Sequence, residues 1–230
     1  MAEYGAFIDV NGNPFITPLS TPFALYSKGT ISSGEKNRTQ YAERYVNIPQ
    51  GVPVIAFCKT TNTSNGTALS AFTFRSGANV GKIYFQGVNP NNQSFVLTYY
   101  IFAIFPQTLP RWGMAIWDAQ GKLILTNETK VLSDLTTVGT PGFSGGGLNI
   151  DVTLNGSWAV VPTTLGNSQI RVGSLPTGQP IISNATAGSS CRFDGSRTRI
   201  NAQSTMGGGQ VLSTTNNGNV ITAINTAAYD

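Results

Sequence analysis

The sequence predicts an all-β protein, built as two tandem β-sandwich-like units or as one large β-sandwich. Runs rich in Val, Ile, Thr and aromatic residues recur at roughly ten-residue spacing. Clusters of Gly, Asn, Pro and Ser punctuate them, and no stretch carries a sustained helical spacing of apolar residues.

The chain opens on Tyr4-Gly5-Ala6-Phe7-Ile8-Asp9-Val10-Asn11-Gly12-Asn13-Pro14-Phe15-Ile16-Thr17, two apolar runs about Asp-x-x-Gly. Glycine supplies positive φ at little steric cost, so the pattern predicts a hairpin. Pro18 and Pro22 then make an extended connection. Strands are predicted over 23–31, 52–59, 68–75 and 80–88; Tyr41–Ile48 fits a strand or a helical turn, with Tyr, Val and Ile favouring the strand. The longest apolar run, Phe95 to Phe105, is too short to span a bilayer as a helix and reads as a strand ending at Pro106. Pro106-Gln107-Thr108-Leu109-Pro110 is a two-proline connector, which divides an N-terminal β-sandwich-like unit (1–110) from a C-terminal β-rich unit (111–230).

The second unit begins with Trp112-Gly113-Met114-Ala115-Ile116-Trp117-Asp118-Ala119-Gln120-Gly121-Lys122-Leu123-Ile124-Leu125-Thr126, a fuller version of the opening hairpin. Asp118 is expected to cap its own turn. After a glycine-rich loop, Gly142 to Gly147, strands are expected at 148–154 and 158–161, and Asn155-Gly156 between them is a type I′ hairpin signal. Short strands follow at 169–172, 180–183, 191–193 and 198–201, and 211–213 and 220–224 flank a last hairpin at Asn216-Asn217-Gly218-Asn219. The second half is the less apolar, so its core is expected to be smaller or completed by a neighbouring chain.

Gly-x-x-aliphatic-aromatic-Asp-x-x-Gly-x-aliphatic-x-aliphatic-Thr, as carried by Gly113 to Thr126, resembles a signature of small proteins encoded among the tail genes of tailed bacteriophages and prophages. Tyr4-Gly5-Ala6-Phe7 followed by Pro14-Phe15-Ile16-Thr17-Pro18-Leu19-Ser20-Thr21-Pro22 is similar to the N-terminus of the same group. The resemblance implies a virion or tail-associated protein. It carries no activity over to individual residues.

Composition narrows the function classes. Of 230 residues only 10% are charged while 40% are hydrophobic, a weakly charged surface of the kind buried in assemblies. The net charge of +4 comes from 14 basic and 10 acidic residues scattered along the chain, which does not point to nucleic acid. The densest basic piece, Arg192, Arg197 and Arg199 around Phe193, is a candidate contact for nucleic acid or a glycan phosphate, but the preferred reading is a strand and turn with a solvated face or a salt bridge to a neighbouring subunit. Histidine is absent, which removes Ser-His-Asp and Cys-His nucleophiles and histidine metal sites, and Cys58 and Cys191 alone cannot make a structural zinc site. They could form one bridge, but Cys58 in Val54-Ile55-Ala56-Phe57-Cys58 reads as a small core residue. No catalytic residue, metal or cofactor is expected. Trp112, Trp117 and Trp158 are the candidate binding aromatics, for a subunit interface or a sugar ring. Met1-Ala2-Glu3-Tyr4 has neither the basic nor the apolar region of a secretory signal, so folding in the host bacterial cytoplasm is expected.

The expectation is a non-enzymatic virion protein of the tail tip or fibre. Its expected partners are other tail or virion proteins and further copies of itself, without nucleic acid or membrane insertion. The alternatives are a module that binds a host cell-surface receptor or glycan, and a capsid decoration protein.

Overall fold

The structure is a computed structural model that describes residues 8–10, 13–16, 21–74, 76–118 and 120–230. All regular elements among them are strands apart from one 3-10 turn at Gly147–Asn149, so the protein is all-β.

The opening hairpin pairs β1 (Ile8–Val10) with β2 (Asn13–Ile16). Tyr4 to Phe7, the turn at Asn11 and Gly12, and the connection through Pro18 lie outside the described residues. Next come β3 (Ala24–Ser32), β4 (Gly34–Lys36), β5 (Thr39–Asn47), β6 (Val54–Thr61), β7 (Ala68–Thr73), β8 (Lys82–Asn89) and β9 (Val96–Ala103). Tyr41 therefore starts no helical turn, and the long apolar run is a strand. β10 (Ala115–Trp117) and β11 (Leu123–Thr126) form the expected hairpin. Asp118 caps it: Oδ1 accepts from the backbone N–H of Gln120 (3.0 Å) and Lys122 (2.8 Å), while Gly121 takes φ +78°. The remaining strands are β12 (Leu135–Val138), β13 (Asp151–Asn155), β14 (Trp158–Val160), β15 (Thr164–Ser174), β16 (Pro180–Phe193), β17 (Arg197–Ser204), β18 (Gln210–Asn216) and β19 (Ile221–Asn225).

An 11-stranded sheet runs β12-β19-β14-β6-β16-β15-β18, with β9 and β3 joined to β6 on one side and β17 and β13 joined to β16. A 4-stranded sheet, β4-β5-β8-β7, packs against it. β6 is the hub. It pairs with β9 along its whole length, meets β14 where Cys58 faces Val160, and meets β16 in parallel where Thr60 faces Arg192. The large sheet thus takes strands from both sides of the Pro106–Pro110 connector, and that connector does not mark a break between sheets.

Two local expectations are corrected. Asn155-Gly156 does not close a hairpin: β13 pairs with β17, whereas β14 pairs with β19 and β6. The Gly156 N–H donates to the Ser196 carbonyl instead, so the tight bend hands the chain from one partner strand to another. Asn216 to Asn219 likewise joins no hairpin, because β18 pairs with β15 and β19 with β12 and β14. Turn chemistry sets the bend, while burial of the flanking strands chooses their partners. Residues 180–183 and 191–193 are the two ends of one 14-residue strand.

The core lies on both faces of β6 and β9, which explains their continuous apolar runs. Cys58, Leu97, Tyr99 and Ile101 face the smaller sheet, where Phe85 stacks on Tyr99 with centroids 4.8 Å apart. Gly87 leaves room for Phe95 there, since a Cβ on it would lie 2.8 Å from that ring. Phe57, Tyr100 and Phe102 face the other way, under Phe23, Leu132 and Tyr229. Each such side chain contributes about 1.5–3 kcal/mol by burial. No helix among the described residues is long and apolar enough to cross a membrane.

Candidate binding surfaces

The residues singled out from sequence fall in two places, Trp112 and Trp117 at one hairpin and the three arginines at another, beside which the backbone N–H of Trp158 donates to Thr198 Oγ1 at 3.0 Å. Trp112 is 80% and Trp117 51% exposed, at the β10–β11 hairpin. Trp158 is half-buried against the core; its Nε1–H donates to the Asn155 carbonyl at 2.7 Å. No ring contact among the described residues joins the three. Arg192 and Arg199 are register partners across the β16–β17 hairpin. Arg199 is held by Asp151 at 2.8 and 2.6 Å, and Arg192 reaches the Thr63 carbonyl at 3.5 Å. Arg197 starts β17 beside the turn, where Asp194 accepts from the N–H groups of Ser196 and Arg197, a set that lowers the Asp194 carboxyl to about 2. Asp151 on β13 therefore pairs with Arg199, while Asp194 caps the turn of the hairpin itself.

A polar cluster that sequence reasoning missed sits beneath the outer face of β6. Lys59 is buried, and its ammonium donates to Ser157 Oγ (2.6 Å), Thr226 Oγ1 (3.0 Å) and Asp230 Oδ2 (2.6 Å). The Tyr100 hydroxyl donates to Asp230 Oδ1, and the Lys28 ammonium lies 3.2 Å from the same oxygen. Burial lowers the Lys59 pKa against the pull of Asp230. Burial would raise Asp230, but hydrogen bonds from Lys59, Tyr100 and Thr226 outweigh it and hold the carboxyl well below its usual range. Tyr100 is pushed up by burial and then by Asp230. The Lys59–Asp230 ion pair and its hydroxyl partners tie β6 to Ser157, Thr226 and Asp230, so the cluster works as a lock between segments far apart in the chain. An isolated Lys in an apolar strand, at Phe57-Cys58-Lys59, was the available signal.

A cleft of about 550 Å³ opens between the outer face of the 4-stranded sheet and the β15–β16–β17 region. Ser70, Phe72, Gln86 and Tyr41 form one wall; Thr163, Asn184, Thr186 and Met206 form the other. No charged side chain lines it among the described residues. A smaller hollow of about 380 Å³ adjoins it at Phe72 and Pro162. Strand alternation places Phe72, Tyr84 and Tyr45 on the same outward face, and they form a row with centroid spacings of 5.2 and 4.7 Å. Tyr84 donates to Glu43 at 2.5 Å; burial and then that carboxylate push its pKa up to about 12. The outward aromatics of β5, β7 and β8 could have been read from period-two spacing, but their assembly depends on register.

The third surface is the wing formed by β15, β18 and the first half of β16. Val172, Ile181, Ile182, Val211 and Leu212 are all exposed there. β18 is the sheet's edge and pairs only with β15. Gln210 to Asn216 contains neither charge nor proline, and Arg171 is the one charged residue from Pro162 to Ser190. Gly142 to Gly147 forms a loop closing one end of this edge, where the Asn216 amide donates to the carbonyls of Phe143 (3.1 Å) and Gly146 (3.2 Å).

Cys58 and Cys191 are free and buried, as the core reading of Cys58 requires, with Cys191 Sγ 3.2 Å from the Trp158 carbonyl. Among the described residues no group of three or more Asp, Glu or Cys is gathered as a metal site. No protein-family model, curated protein or solved structure matches this chain.

Proposed function

We propose that the protein is a non-enzymatic component of a bacteriophage tail, at the tip or fibre, that assembles with copies of itself and with other virion proteins. The tail-gene resemblance of Gly113 to Thr126 supplies the setting. The wing carries the assembly reading. Exposed β-branched and leucine side chains beside an unguarded strand edge are what a lone soluble domain avoids and a subunit buries. Because the wing is almost uncharged, covering it removes little hydration from ionic groups.

Imaging of intact particles of the phage that carries this gene, with the protein tagged, tests the reading. Label at the tail is the expected result. Label on the head would replace it with a decoration role, and particles without label would overturn it.

A further inference from the structure

We infer that the cleft between the 4-stranded sheet and the β15–β16–β17 region binds a neutral oligosaccharide. The inference is independent of where the protein sits in a particle. The lining sets the ligand's charge. A charged group entering the cleft would leave water without meeting a counter-charge, which is costly, whereas a neutral polyol exchanges hydroxyl for hydroxyl. The polar groups fit that exchange. Ser70, Thr164 and Asn184 make no side-chain hydrogen bond to another described residue, and Gln86 spends one N–H on Tyr84. Amides and hydroxyls of this kind both donate and accept, as a ring bearing several hydroxyls demands.

Phe72 supplies the apolar half of the recognition. It is half-exposed at the place where the cleft joins the neighbouring hollow, and its ring begins the row that continues through Tyr84 to Tyr45. The C–H face of a pyranose packs on such a ring while its hydroxyls reach the amides. A row of rings extends this to successive sugar units.

An extended peptide adding to the free edge of β7 is the competing occupant, and the geometry disfavours it. β16 already crosses that edge: a Cβ on Gly188 would stand 3.0 Å from the Leu69 carbonyl oxygen. The backbone ladder that a peptide needs is interrupted there.

The test is saturation-transfer NMR on the whole protein with maltohexaose, cellohexaose and a neutral galactan hexamer. Hexagalacturonate serves as the acidic control and a Ser/Thr/Val hexapeptide as the peptide control. At least one neutral hexamer is expected to bind, and its Kd to rise tenfold or more in Phe72→Ala and in Thr186→Tyr, which fills the cleft. Leu109→Ala, at an exposed position away from the cleft, is expected to leave the Kd unchanged. Matching thermal melts establish that each variant is folded. No binding of any neutral hexamer at ~1 mM, stronger binding of the acidic or peptide control, or a Kd indifferent to both cleft variants would overturn the inference.

Discussion

The Lys59 ammonium on β6 meets the Asp230 carboxylate at 2.6 Å across 171 residues of chain. Replacing the carboxylate by an amide leaves the buried ammonium with neutral acceptors and removes the negative charge that Lys59 meets at bonding distance. Asp230→Asn is expected to destabilise the protein by about 1–3 kcal/mol, less than the cost for wholly buried pairs because Asp230 is more than a third exposed. Urea denaturation of the two proteins measures it.

The same contact predicts the acid response. The folded-state pKa of Asp230 is lowered relative to the unfolded chain, so its stabilisation is present above about pH 4 and is lost progressively as pH falls from there toward the folded value. The stability gap between wild type and Asp230→Asn is expected to narrow below that point. A gap that stays constant from neutral pH down to pH 2 would refute the assignment.

Both cysteines are sealed in the core, where burial raises the thiol pKa and keeps the thiolate scarce. Ellman's reagent is expected to find no reactive thiol in the native protein at pH 8 and both thiols in guanidinium. Reaction of either one before unfolding would contradict the packing.

What the sequence disclosed divides by range. Period-two runs, the Asp118 turn and the core place of Cys58 were all readable, because neighbours in sequence determine them. Partner choice was not. Asn155-Gly156 and Asn216 to Asn219 bend the chain as their composition requires, yet the strands they join find separate partners, since pairing is decided by surface buried at long range. The cleft and the Lys59 lock were hidden for the same reason, each being gathered from segments far apart along the chain.

Glycine positions offer a paired test. A Cβ on Gly146 would lie 2.5 Å from the Gly218 carbonyl oxygen and 2.7 Å from that of Thr140, both backbone atoms, whereas one on Gly34 meets nothing. Gly146→Ala is expected to cost about 1–3 kcal/mol and Gly34→Ala less than about 0.5 kcal/mol, read from chemical denaturation.

Edge pairing of β18 predicts self-association that one charge can break. Light scattering behind size exclusion is expected to show oligomers for the wild type and monomers for Val211→Lys, whose exposed position tolerates lysine within the subunit. A wild type that stays monomeric at every concentration would remove the wing as a contact between copies.

The place of β6 has a bearing on how the protein is made. Ribosomes release β6 and β9 early, but β14 and β16, which complete the edge of β6, and Leu132 and Tyr229, which cover its outer face, all follow Pro110. At about 5–20 residues per second that interval is on the order of ten seconds. Throughout it the 4-stranded sheet can cover the inner face of these two strands, while their outer face and the second edge of β6 wait for residues made last.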